Sequence, residues 1–334
     1  MKIKLSILDQ SPHLRGMTGK DALEQTTTLA KWAERLGYER FWVAEHHSNR
    51  SLASSSPEIL VTHLASHTKR IRVGTGGVLL PHYSPFKVAE MFRVIEALYP
   101  NRTDLGLGRA PGGMPGVNYA LHNGNYPNYS DYPKKVKELI AYLHGQDPHQ
   151  YHVQATPLGK SSPPVWLLGS SHASAKLAGQ LGIGYAYAQF INGEDGETAL
   201  HEYQNYFRPS KTLQSPKSII AVYVICGKTS EEADYLAASL DLALLQTEKG
   251  IQRGHFPEPE EAINYKYSYI EKEKVKLNRN RMIVGTPYQV KQKIYELADY
   301  YNVDEFMINT IISPFEKRLK SYELLINAFQ THKE

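Results

Sequence analysis

Residues 41 to 47 read FWVAEHH, four apolar residues running straight into Glu45, His46 and His47 with no turn residue between them. An ordinary histidine titrates at about pH 6.5, so a histidine beside a carboxylate at a cleft supplies a general acid or base. Away from a cleft the same two histidines are a hydrogen-bonded structural pair, so position decides between the readings. A second stretch, GSSHASAKLAG at 169–179, runs hydroxyls into a helix. Ser171 and Ser174, with the free N–H groups of a helix start, suit an anion there, although simple N-capping by serine uses the same residues. Arg109, after the glycines of GLG at 106–108, adds a guanidinium able to grip a phosphate in bidentate fashion. A phosphate-bearing cofactor lying across one rim accounts for these residues together.

The glycine runs GTGG at 74–77 and GLGRAPGG at 106–113 lack GxGxxG spacing and do not open directly into a helix, so they are not dinucleotide fingerprints. They either let a flat ligand lie against the backbone or only permit a bulge or tight strand end. His63 and His67 have the i, i+4 spacing of a metal pair, but they fall in mid-helix with no acidic partner nearby in sequence. No metal site is expected.

The elements that must position these residues alternate in type. KIKLSIL, FWVA, RIRVGTGGVLL, TDLGLG, PVWLLG, YAYAQF, SIIAVYVICG and DEFMINT read as strands, separated by helical stretches such as residues 20–36, entered or closed by Pro and Gly. Eight strands alternating with eight helical regions imply parallel strands with crossover helices. The expected fold class is α/β, a (β/α)₈ TIM barrel, with residues 1–334 as one domain. Chemistry then belongs at the carboxyl ends of the strands, where Glu45, His46, Gly76, Gly77, Arg109, Ser170, Ser171 and Gln189 all fall. Residues 110–133 and about 247–283 are long loop or insertion segments on that face. The first, dense in Gly, Asn and Tyr, reads as a substrate-side loop or partial lid. The second reads as part helix and part mobile loop closing over the mouth.

Composition excludes several classes. The 334 residues are 41% hydrophobic and 22% charged, with a formal net charge of +4 that is too small and too scattered to argue for nucleic acid. Cys226 is the only cysteine, so no intrachain disulfide forms. No stretch has the roughly 18 apolar residues of a membrane span, and the N-terminus lacks a signal-peptide pattern. A cytoplasmic location is expected.

FWVAEHH, VGTGGVLLPHYSP, RTDLGLGRAPGG and PVWLLGSSHASAKLAGQLGIGYAYA, in this order, closely resemble the bacterial luciferase-like flavin-dependent monooxygenases over nearly the whole chain. That resemblance implies a barrel binding reduced FMN, supplied by a separate NAD(P)H:flavin reductase, and an oxygenation of an organic substrate through a C4a-peroxyflavin. It implies that His46 is the active-site histidine and that Glu45 adjoins the cofactor. Gly76-Gly77 falls where the family has a non-prolyl cis peptide beneath the flavin ring. Arg109, Ser171 and Ser174 match the phosphate site. Ser170 and Gln189 stand where light-emitting members have a glutamate and a tryptophan, which counts against luminescence.

The resulting expectation is an FMN-dependent monooxygenase that uses O₂ to oxidise a small organic substrate such as an aldehyde or other carbonyl, as a homodimer. Alternatives are an F420-dependent oxidoreductase and a non-catalytic flavin-binding protein. A zinc-dependent barrel hydrolase ranks last.

Overall fold

The computed structural model describes residues 2–330. Eight strands close into a parallel barrel. They are β1 (Lys4–Asp9), β2 (Arg40–Val43), β3 (Arg72–Thr75), β5 (Thr103–Gly108), β6 (Val165–Gly169), β7 (Gly184–Ala188), β8 (Ser218–Cys226) and β10 (Glu305–Asn309). They pair in that order, and β10 returns to β1, so the ring has no open edge. The expected (β/α)₈ barrel is therefore the observed one.

Two short strands modify the ring. The third strand is not continuous: β3 pairs with the start of β5, and β4 (Val78–Leu79) pairs with its end, the two being separated by Gly76-Gly77. β9 (Met282–Gly285) pairs with the end of β8, above the register at which β10 pairs with the same strand. Both additions raise the carboxyl-end rim.

Helices cover the outside, and their ends follow local chemistry. α1 (Gly19–Leu36) starts in a capping box between Thr18 and Asp21 and stops at Gly37, whose φ of 85° suits glycine. α2 (Pro57–His67), α3 (Pro85–Leu98) and α11 (Pro287–Tyr301) each begin on a proline, whose missing N–H is unneeded there. α6 (His172–Leu181) is capped by Ser171, and α8 (Ser230–Glu248) by Thr229. α12 (Phe315–Gln330) seats Arg318, buried, on the Asp9 carboxylate at 2.7 Å, tying the last helix to the first strand.

The segment 110–133, expected as a loop or partial lid, contains a helix, and 247–283 contains helix as expected. Within 110–133 lies α4 (Pro115–Leu121), and α5 (Tyr132–Leu143) begins at its end. Within 247–283 lie α9 (Pro259–Asn264) and α10 (Tyr269–Arg279), each opened by a capping box. At the opposite end of the barrel, Arg40 bridges Asp104 at 2.7 Å and Glu305 at 2.5 Å, all three being buried. Breaking such a group leaves an uncompensated buried charge, which is strongly destabilising. No helix among the described residues is long and apolar enough to cross a membrane.

Candidate active site

A cavity of about 990 Å³ opens at the carboxyl ends of the strands. Its bed follows from strand alternation. In β7, Tyr185 and Tyr187 point outward into the helix layer, while Ala186 and Ala188 line the cavity. Ala44 after β2 and Ala221 in β8 are likewise small, and Leu8, Trp42 and Met307 complete an apolar floor. Alanines where a barrel interior is ordinarily filled by branched side chains leave space for something flat.

Gly76-Gly77 lines this cavity and its peptide bond is cis. A Cβ on Gly77 would stand 2.7 Å from the Gly106 carbonyl oxygen, and one on Gly76 would stand 2.6 Å from Leu8 Cδ1. Side chains are thus excluded, and the bare backbone forms one wall.

Glu45 and His46 both line the cavity, but with different commitments. Glu45 is buried and its oxygens are used: Oε1 accepts the Tyr83 hydroxyl at 2.6 Å and contacts His47 Nε2 at 2.6 Å, and Oε2 accepts the Leu79 N–H at 2.8 Å. Burial and this carboxylate push the Tyr83 hydroxyl well above its usual pKa. His46 is half-buried, and its backbone N–H donates to the Ser54 carbonyl at 2.9 Å. Neither ring nitrogen has a partner among the described residues. Burial lowers its pKa to about 4, against the opposing pull of Glu45, so the ring is neutral at neutral pH. A neutral imidazole with both nitrogens uncommitted can donate from one and accept at the other.

Arg109, Ser170, Ser171 and Ser174 also line the cavity. Arg109 is exposed and makes no hydrogen bond or ion pair among the described residues. Ser171 Oγ accepts the Ser174 N–H at a long 3.4 Å, and the Ser174 hydroxyl donates back to the Ser171 carbonyl at 2.7 Å. The serines therefore shape the start of α6 and leave the first helical N–H groups, at His172 and Ala173, without an intrahelical acceptor. A free guanidinium and the Ala173 N–H on one cavity suit a dianion.

Gln189 is not brought into the cavity. Its Oε1 accepts the Tyr301 hydroxyl at 2.7 Å, and its neighbours Ala188 and Phe190 line the cavity in its place. His63 and His67 stay on α2, where His63 contacts the Thr27 hydroxyl at 3.2 Å.

The roof comes from residues 110–131, of which Pro111, Asn118 and Tyr129 line the cavity. It is fastened by residues that sequence reasoning passed over. His82 Nε2 donates to the Pro111 carbonyl at 3.1 Å, and His82 Nδ1 lies 2.9 Å from His122 Nε2, a pairing that requires Nδ1 as acceptor. Lys135 donates to the Pro81 and Tyr83 carbonyls at 2.7 and 3.0 Å. The signal for the alanine bed was in the YAYA alternation; that for the His82–His122 contact, 40 residues apart, was not in the sequence.

A sequence model described as luciferase-like monooxygenase matches residues 1–301. A Bacillus subtilis (strain 168) protein, YwcH, is 50% identical over 330 residues, covering 98% of this chain and 99% of that one. In the same organism a protein named N-acetyl-S-alkylcysteine monooxygenase is 36% identical over 330 residues, covering 98% of each chain. Among solved structures, apo-MsnO8 matches with a TM-score of 0.91 at 37% identity over 98% of both chains.

Proposed function

The chain belongs to the luciferase-like monooxygenase family, and we propose that it uses reduced FMN and O₂ to oxidise a small organic substrate. One observation supports a phosphate-bearing flavin: the uncommitted Arg109 and the open start of α6 lie on the same cavity as the side-chain-free Gly76-Gly77 wall and the alanine bed. A phosphate fits the first pair and a flat ring fits the second.

Reduced FMN, when bound, supplies the electrons with which O₂ gives one oxygen atom to the substrate and the other to water. The protein's own residues do the rest. Gly76, Gly77, Ala44 and Ala186 seat the ring, while Arg109, Ser170, Ser171 and the α6 N–H groups hold the phosphate. Glu45 fixes β4, the strand after Gly77, through the Leu79 N–H. His46, neutral and uncommitted, donates or accepts the proton beside the reacting atoms. The 110–131 roof keeps water from that place.

The reading takes the chain as one barrel unit that works as a homodimer and receives reduced FMN from a separate reductase. The relative named for N-acetyl-S-alkylcysteine adds thioethers to the carbonyl compounds to be screened. The test is a binding titration of FMN, riboflavin and F420. FMN is expected to bind tightest and riboflavin weakly; tighter binding of F420 would assign the site to a hydride-transfer enzyme instead.

A further inference from the structure

A second cavity of about 400 Å³ adjoins the first. Gln10, His46, Gly112 and Phe190 line both, so His46 stands at their junction. The far wall is built by the last turns of α8 and by residues 250–257, with Leu244, Ile251 and Phe256 giving it an apolar surface. Its lining contains no Asp or Glu, and Arg253 is its one side chain with a fixed charge.

Arg253 is half-buried and poorly partnered. Its only ion-pair contact among the described residues is to Glu261 Oε2 at 3.8 Å, beyond hydrogen-bond reach. Glu261 is committed elsewhere: Oε2 accepts the Glu258 N–H that starts α9, and Oε1 is taken by Arg15. The Arg253 guanidinium therefore keeps its donors free beside a chamber whose far wall combines Leu244, Ile251 and Phe256 with the polar Gln246, Thr247 and Gln252. His255, on the same wall, uses Nδ1 toward the Phe256 carbonyl at 3.1 Å and leaves Nε2 available.

We propose that this chamber binds the organic substrate and that Arg253 selects an apolar monocarboxylate, holding the carboxylate at the far wall while the remainder of the molecule extends toward His46. The assignment rests on the monooxygenase reading for what happens at His46, but not for the binding itself. A carboxylate suits the site because its two oxygens match the fork of arginine donors in a charged, bidentate hydrogen bond. The apolar lining supplies the area that a small acid needs in order to bind at all.

The test is calorimetric titration of the protein, with and without oxidised FMN, using N-acetylmethionine and its methyl ester as probes that differ in charge. The acid is expected to bind on the order of 10-fold or more tighter than the ester. Arg253→Gln should erase that preference while leaving the affinities for the ester and for FMN at the wild-type level. Arg253→Lys should keep part of it, because charge survives while the bidentate geometry does not. Equal binding of acid and ester, failure of both to bind, or an Arg253→Gln variant that retains the preference would each overturn the proposal. Failure of the monooxygenase reading shows separately, as an absence of oxygen insertion, and leaves these affinities where they are.

Discussion

Glu45 Oε2 accepts the backbone N–H of Leu79 at 2.8 Å, joining the residues that follow β2 to β4, the short strand after Gly76-Gly77. The carboxylate beside His46 is thus a positioning group, with its other oxygen held by Tyr83 and His47. Glu45→Gln puts an N–H₂ group among three donors and leaves at least one of them unpaired. Unfolding in denaturant should show a loss of about 1–3 kcal/mol, with FMN affinity reduced because the glycine wall is no longer fixed. Unchanged stability and FMN affinity would remove Glu45 from the positioning role.

His46→Ala should leave FMN binding close to wild type and lower substrate oxidation by on the order of 10²-fold or more, with hydrogen peroxide released in place of product. The variant also reports on stability. Because the folded His46 has a pKa of about 4, below that of an unfolded histidine at about 6.5, the unfolded chain binds the extra proton first. Stability from this group is complete above pH 6.5 and is lost as the pH falls toward 4. The alanine variant should show a shallower loss across that window in thermal melts.

Arg109→Gln should weaken FMN by about 1.5–3 kcal/mol, the range for hydrogen bonds to a charged group, and leave riboflavin nearly unaffected, because only FMN carries the phosphate. Parallel fluorescence titrations of the two flavins check this. Equal weakening would place Arg109 outside the phosphate site.

The roof should loosen in acid. Burial is the leading cause lowering the pKa values of both His82 and His122, with His122 opposing protonation of His82 and Lys135 opposing that of His122. The Pro111 carbonyl and Glu45 favour charge on His82, while the nearby His47 disfavours it. Protonation of His82 at Nδ1 removes the acceptor for His122 Nε2. Their contribution is therefore intact above pH 6.5 and lost below it as the depressed values are passed. Limited proteolysis within residues 110–131 should accelerate on acidification, and His82→Gln should make cleavage less dependent on pH.

Much of this site was legible because it lies at strand ends, where the change from apolar run to polar residue is a local feature. FWVAEHH, RTDLGLGRAPGG and GSSHASAKLAG place His46, Arg109 and the α6 start on one rim once the barrel is recognised. The partners of Glu45 were not legible, since Tyr83 and the Leu79 N–H meet it only through the packing of adjacent strands. Gln189 follows its strand as expected, yet pairs with Tyr301, 112 residues away, through contacts that no local pattern encodes. The helices within 247–283 did leave a signal: Ser268 followed by Glu271 is a capping box. It agrees with the expectation that this stretch is part helix.

The central claim is tested most directly by loading the protein anaerobically with reduced FMN, mixing it with oxygenated buffer in a stopped-flow instrument, and following the flavin absorbance. The account predicts that flavin bound in this cavity returns to its oxidised spectrum on a different, delayed course from flavin free in buffer, and that His46→Ala shortens the delay. Reoxidation of the loaded protein that coincides with that of free flavin would contradict it.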